Sequence, residues 1–392
     1  MDTHDPQRNG IAVVGFPYVR EEYFELFRCW PEPERLRFLL PQAWKAKGGA
    51  VVYRAPNDPR VTPARAFFWN YHRATPIIGG LLKGLMPYFP VWLWRYRRSC
   101  ELVYACSEPI LLVTLYYALW AKLLGKRLVL FTWENLPYEQ KFHGISSVIH
   151  GALLRMNLWL ADGLVCGNSL SADIHRRHTR RPIAVIPMNG IDPRRFQRVE
   201  VRPSAISAHT VFTFVGAIGY RKGIHHIIRA LPTVLRSIPN AHVIIAGSGE
   251  YEQDIDRVIE EVGVRDHVTR IPWVDHKDLV QLLSTSDVFL YPSMPHRGWA
   301  EQFGYAMAEA SLMELPVIAT RSGSISDVVV DGETGILIQP DDAQALADAM
   351  VRLGTDEALR VRLGTAGRAY IMERYTHEAV ARAMDVFFMT LL

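Results

Sequence analysis

A chain of 392 residues, 49% of them hydrophobic, can bury more than one core, and at roughly 100–200 residues per domain two globular domains are expected. The four cysteines, Cys29, Cys100, Cys106 and Cys166, form no C-x-x-C pair and no zinc-like spacing, which argues against a metal scaffold and fits a reducing cytosol. The net charge of +4 conceals an asymmetry: residues 1–200 carry 27 Lys and Arg against 16 Asp and Glu, and residues 201–392 carry 17 against 24. A basic half suits an anionic membrane, nucleic acid or an acidic substrate, or is an unevenly solvated surface.

Residues 1–9 are polar and the apolar stretch after them is short and broken by Pro17, so no secretory signal is expected. Ile11-Ala-Val-Val-Gly15 reads as a buried parallel strand feeding a loop. Similar runs recur at residues 102–105, 127–131, 163–166 and 183–186, alternating with helical stretches at 110–124 and 146–161. Strands alternating with helices imply right-handed βαβ units under a parallel sheet. The polar, Pro-containing segment 199–209 reads as a linker, which places an N-terminal domain at 1–199. A second alternating series occupies 200–375: strands at 211–215, 242–246, 268–271, 288–291 and 316–319, and helices at 224–237, 251–262, 277–284 and 304–313. Residues 376–392 are expected to form a helix crossing back to the first domain. The fold class is α/β, two doubly wound Rossmann-like domains facing a central cleft.

The apolar run 110–124 is shorter than the ~20 residues that span a bilayer, so it reads as a core helix. Residues 76–98 combine Tyr88, Phe89, Trp92 and Trp94 with Lys83, Arg95, Arg97 and Arg98, a composition suited to a lipid interface or to a hydrophobic acceptor pocket. The interfacial reading puts Trp92 and Trp94 at headgroup depth beside the three arginines.

Glu301-Gln-Phe-Gly-Tyr-Ala-Met-Ala-Glu309 places two carboxylates eight positions apart around a Gly that can open a helix. With a helix starting near Phe303, Glu301 lies in the preceding loop and Glu309 faces inward about two turns along. The backbone N–H groups of Phe303, Gly304 and Tyr305 would then suit a diphosphate, and the carboxylates could accept bonds from sugar or ribose hydroxyls. On spacing alone, a capping acid and an ordinary surface Glu explain the pair as well.

The surroundings add more. Phe214-Val-Gly216, Arg221-Lys-Gly223, Ala246-Gly-Ser-Gly-Glu250, Val288-Phe-Leu-Tyr-Pro-Ser293, Glu301-Gln-Phe-Gly304, Leu315-Pro-Val-Ile-Ala-Thr320, Gly323 and Asp331-Gly-Glu-Thr-Gly335 together resemble the donor-domain signature of family 4 glycosyltransferases. The resemblance is close over 160–375 and weaker over 1–159. It implies a GT-B fold, a UDP-, GDP- or similar sugar nucleotide as donor substrate with no separate cofactor or metal, and transfer with retention to a glycan or lipid-linked acceptor in cell-envelope polysaccharide or glycoconjugate synthesis. Carried over residue by residue, Arg221 and Lys222 would pair with the donor phosphates, Glu309 would bind the ribose, and Glu301 with the Phe303–Tyr305 backbone would hold the transferred sugar. Gly216, Gly249 and Glu250 complete the donor-binding set. A cytoplasmic location, peripheral on the inner face of the membrane, follows, with no nucleic-acid partner.

The sequence departs from the family pattern in two places. Ala217 stands where many relatives carry Arg, leaving Arg221 to take its part, and the loop after the first strand offers Gly15 alone instead of Gly-Gly. On the acceptor side, Glu108, Glu134 and Asn135 follow strands and would reach a cleft, with His143 nearby on the same loop. Asp254-Ile-Asp256 imitates a metal-binding D-x-D but falls inside an amphipathic helix, and no complete G-x-G-x-x-G supports a nicotinamide cofactor. A GT-B-like epimerase or phosphorylase, or a non-catalytic glycan-binding homologue, are the alternatives.

Overall fold

The computed structural model describes residues 9–45, 52–67, 80–199, 210–272 and 274–392. It divides into two compact units: Met1–Gly190 with His377–Leu392, and Ile191–Thr376. The division falls ahead of the segment 199–209 read as a linker, of which 200–209 lie outside the described residues.

Unit 1 is built on β1 (Gly10–Val14), β2 (Leu36–Pro41), β3 (Ala43–Lys45), β4 (Val52–Arg54), β5 (Val61–Ala64), β6 (Cys100–Ala105), β7 (Arg127–Thr132), β8 (Gly163–Cys166) and β9 (Ile183–Val185). Among the described residues, β3 and β4 form an antiparallel hairpin and the others a parallel sheet in the order β5-β2-β1-β6-β7-β8-β9. Every residue of β1 is buried, because helices cover both faces of a parallel sheet. Ala12 and Val14 point to one core, and Ile11 and Val13 to the other. The helices of this unit are α1 (Glu21–Arg28), α2 (Phe89–Arg95), α3 (Leu112–Leu123), α4 (Ile145–Leu160), α5 (Ser169–Arg176) and the C-terminal helix His377–Met389. The C-terminal helix seals the second core with Val380, Ala381, Met384 and Phe388.

The 76–98 segment differs from its interfacial reading, and its residues 76–79 lie outside the described residues. Trp92 is 1% exposed, sits in the first core and donates from Nε1 to Thr62 Oγ1 at 3.1 Å. It cannot reach lipid, because burying an indole whose N–H finds a partner outweighs leaving it at the surface. Trp94, two positions on, is 56% exposed, with the Arg97 guanidinium 4.1 Å from its ring.

Unit 2 carries β10 (Thr210–Val215), β11 (Ala241–Ala246), β12 (Val268–Ile271), β13 (Val288–Tyr291), β14 (Val317–Thr320) and β15 (Gly335–Ile338), all parallel in the order β12-β11-β10-β13-β14-β15. Its helices are α6 (Ile224–Ser237), α7 (Glu252–Val262), α8 (His276–Ser284), α9 (Tyr305–Leu312), α10 (Ala343–Thr355) and α11 (Glu357–Arg374). The chain winds outward from β10 to β12, then resumes at β13 on the other side. The switch point lies between β10 and β13, and ligands of open parallel sheets bind at the carboxyl ends of the strands at such a point.

Candidate functional site

The unit 2 site assembles at that switch point. After β10 the chain passes Gly216 and makes a 3-10 turn, Tyr220–Lys222, that ends on Gly223 in the left-handed region (φ +67°) and starts α6. A Cβ on Gly223 would lie 2.0 Å from the Pro292 carbonyl, so this glycine lets the turn press against the end of β13. The two segments are stitched together, since Met294 N donates to the Arg221 carbonyl at 2.8 Å and Ser293 Oγ to the same oxygen at 3.2 Å.

This contact delivers Lys222 to Glu301, 79 positions away in sequence. Lys222 Nζ donates to Glu301 Oε2 at 2.6 Å and to the Tyr291 hydroxyl at 2.7 Å, and that hydroxyl donates to the same carboxylate oxygen at 2.8 Å. Both charged groups are buried. Burial holds the Lys222 ammonium below its usual range against the opposing pull of Glu301, and pushes the Tyr291 phenol well up. Glu301 is fixed from behind by the turn after β14: Ser324 N donates to its carbonyl at 2.8 Å, and Gly323 packs on its backbone.

Arg221 completes the cationic side. Its guanidinium carbon lies 4.4 Å from the centre of the Trp299 ring, and its Nε is buried with no hydrogen-bond partner among the described residues. A buried, unmatched guanidinium N–H beside a buried ammonium is the arrangement an anionic ligand would satisfy. Trp299 belongs to a tight turn in which His296 and Trp299 exchange backbone hydrogen bonds, and His296 in turn meets the Tyr220 ring at 4.8 Å.

The helix after Glu301 starts two residues later than its sequence suggests. Gly304 is its N-cap at φ +81°, a conformation in which an L side chain is strained, and α9 begins at Tyr305. Glu309 therefore sits about one turn into the helix rather than two. No other carboxylate or cation dominates its surroundings, and burial pushes its carboxyl up to about 7. Phe303 is buried and packs on the Tyr305 and Tyr375 rings. Gly249 and Glu250 are exposed on the loop after β11, with Gly249 against the Ile218 backbone and the Glu250 carboxylate beside Gly219. Ala217 is exposed. Asp254 and Asp256 lie on α7, paired with Arg257 at 3.0 Å and Arg270 at 2.8 Å.

In unit 1, Glu108 and Glu134 are joined through the residues that end β7. Glu108 accepts from Thr132 Oγ1 at 2.7 Å and from Trp133 N at 2.9 Å, and burial pushes its carboxyl up to about 7. Glu134 is held by Lys141 Nζ at 2.6 and 2.7 Å and accepts from Leu136 N at 3.0 Å. Asn135 is buried beside it, and His143 is exposed. Sequence reasoning passed over Tyr291, Thr132 and Lys141. The signals were present: a Tyr ending an apolar strand places a hydroxyl at a sheet's carboxyl edge, and Lys141 lies seven positions beyond Glu134.

Comparison with known proteins agrees with this geometry at the level of fold. Along nearly its whole length the chain is similar to HepE of Anabaena, whose structure holds UDP and glucose (TM-score 0.67, 18% identity, 98% of this chain and 100% of that one). It is likewise similar to sucrose-phosphate synthase of Thermosynechococcus elongatus (TM-score 0.70, 19% identity, 98% and 99%). The fold is GT-B, with two parallel-sheet Rossmann-like domains. Residues 199–370 match the family described as glycosyl transferases group 1. This stretch lies between the N-terminal half and the C-terminal helix and contains the Lys222–Glu301 cluster and Glu309. Among sequence relatives, a GDP-mannose-dependent monoacylated alpha-(1-6)-phosphatidylinositol monomannoside mannosyltransferase of Corynebacterium glutamicum is 29% identical over 42% of this chain and 43% of its own length. The capsular polysaccharide biosynthesis glycosyltransferase CapM of Staphylococcus aureus is 28% identical over 52% and 53%. Glycogen synthase of Mycobacterium tuberculosis is 32% identical over 50% and 45%. The chain thus spans about half the length of the relatives it matches.

Proposed function

We propose that this protein is a retaining glycosyltransferase that moves a sugar from a nucleoside-diphosphate sugar to a glycan or lipid-linked acceptor in cell-envelope polysaccharide or glycoconjugate synthesis, working in the cytoplasm at the inner face of the membrane. The observation that carries the reading is the buried Lys222–Glu301–Tyr291 cluster, with Arg221 beside it, at the switch point of the unit 2 sheet. The relatives' use of GDP-mannose and the UDP held by HepE support a nucleoside diphosphate as the carrier.

In this reading the donor's phosphates lie against Lys222, Arg221 and the start of α9, Glu309 holds the ribose hydroxyls, and Glu301 the sugar. Gly216, Gly249 and Glu250 shape the floor. The bond from the anomeric carbon to the β-phosphate oxygen breaks, and its electron pair leaves with the phosphate. The acceptor oxygen attacks the same face, and its proton passes to the departing phosphate oxygen. Charge grows on that phosphate during the step, so buried cations act more strongly on the transition state than on the bound donor. Glu108, Glu134 and Asn135 would orient the acceptor, with His143 at the rim. Incubation with a panel of UDP- and GDP-sugars, read as nucleoside diphosphate release, tests the activity. Inversion at the product's anomeric proton by NMR would refute retention.

A further inference from the structure

Unit 1 covers one face of its sheet with α2, α3 and α4, and the outward side of that layer is itself apolar. On α4 the outward positions recur at helical spacing as Ile145, Val148, Ile149, Met156 and Trp159, with Ile145 80% and Trp159 76% exposed. Leu123, the last residue of α3, is 72% exposed, and Trp94, one residue before the end of α2, is exposed as well. The last turns of these helices are tied together. Lys122 on α3 pairs with Asp162 just beyond α4, and Lys126 donates to the Arg97 carbonyl just beyond α2. A row of exposed apolar residues of this kind on a folded unit marks an interaction site, because isolated exposed residues are common but aligned ones are not.

Its rim is cationic. Arg155, Trp159, Arg180 and Arg181 line a hollow of about 430 Å³ at the end of α4, where Arg181 Nη2 donates to the Trp159 carbonyl at 3.4 Å. Of the acids near it, Asp162 is already engaged by Lys122 and Arg127, and Glu139 lines an adjoining hollow with Arg155. We propose that this α3–α4 face docks onto an anionic lipid bilayer, with Leu123 and Trp159 at the headgroup–acyl boundary and Arg155, Arg180 and Arg181 beside lipid phosphates. The inference rests on the peripheral-membrane part of the function proposed above, and moves the contact from segment 76–98 to α4. Tryptophan belongs at that depth because its ring is apolar and its N–H wet, and arginine stems lie along apolar surface while their heads reach phosphate. A second copy fits less well, since a two-fold contact would bring like-charged arginine clusters toward one another.

Co-sedimentation of the full chain with vesicles tests the proposal. Binding is expected on phosphatidylcholine–phosphatidylglycerol vesicles, weaker by about tenfold or more on phosphatidylcholine alone, and falling with salt. Two surface variants, Leu123→Ser with Trp159→Ser, and Arg155→Gln with Arg180→Gln and Arg181→Gln, should each bind the anionic vesicles about tenfold more weakly at unchanged melting temperature. Undiminished binding by both variants, or no binding to anionic vesicles, overturns it. So does a dimer in analytical ultracentrifugation that Trp159→Ser dissociates, which gives the face to a second copy. Calorimetric titration with UDP and GDP reads unit 2 separately, so failure of the transferase reading leaves a different signature.

Discussion

At the residue scale, the Lys222–Glu301 pair carries the first expected outcome. Two buried opposite charges sharing a phenol make each other tolerable, and removing one leaves the other desolvated without its partner, a loss of about 3–5 kcal/mol in comparable cases. Lys222→Met and Glu301→Gln should each lower stability, while the double variant should lose clearly less than the sum. Denaturant titration of the four proteins checks this, and simple additivity would contradict the coupling. In activity, Lys222→Met should cost about 10²–10³-fold if the ammonium meets the departing phosphate.

Glu309 gives a pH dependence whose sign is unambiguous. Its carboxyl is pushed up from 4.5 to about 7 by burial, so between those values the folded state holds a proton that the unfolded chain has lost. The contribution is therefore fully present below about pH 4.5 and disappears as pH rises through about 7. Replacing Glu309 with Gln removes that slope. The variant should melt higher than the parent at pH 8 and by a smaller margin at pH 5, while binding nucleoside diphosphate more weakly. A melting-temperature difference that does not widen with pH would show that this carboxyl is not the one being desolvated.

At the element scale, the glycines that close turns separate backbone conformation from close approach. Gly223 and Gly263 both sit in the left-handed region, at φ +67° and +74°, so either alanine variant carries the conformational cost of about 1–2 kcal/mol. They differ in space: a Cβ at Gly223 meets the Pro292 carbonyl at 2.0 Å, and one at Gly263 meets nothing within 4 Å. Gly223→Ala should therefore destabilise unit 2 by clearly more than Gly263→Ala, and should also loosen nucleotide binding, because the same turn carries Arg221 and Lys222. Equal urea midpoints for the two variants would mean that the β13 loop yields without consequence.

At the scale of the whole molecule, the last sixteen residues matter more than their position suggests. The helix His377–Met389 lays Phe388 against Tyr104 and Trp30, at ring distances of 5.1 and 5.9 Å. Asp385 accepts from Trp30 Nε1 at 3.1 Å and pairs with Arg35 at 3.4 Å. Truncation after Thr376 strips these contacts from unit 1 and leaves Arg35 buried without that carboxylate. Thermal unfolding of the truncated chain should show a lowered transition for unit 1, while nucleotide binding, read on unit 2, persists. Loss of nucleotide binding at temperatures where unit 1 still holds would argue for a different role of this helix.

What was legible in the sequence is what depends on near neighbours. Buried strands such as residues 163–166 and 288–291 show themselves as short apolar runs, and α6 as its 3.6-residue periodicity, since burial on both faces of a sheet or on one face of a helix imposes those patterns directly. The motif around Glu301 and Glu309 is equally local. Strand β5 and the β3–β4 hairpin were not legible, because short strands interrupted by polar residues leave little period to read, whereas β2 carries an apolar run, Phe38-Leu-Leu40, that was passed over. Only the tertiary structure decided that Lys222 bonds to Glu301 across 79 residues, that Glu108 is held by the end of β7, that Trp92 is core while Trp94 is surface, and that α4 leaves a row of its apolar residues uncovered. The reason is the same in each case. A residue's chemistry and spacing say which contacts it could make, but whether a charge is paired or an indole buried depends on what distant segments pack against it.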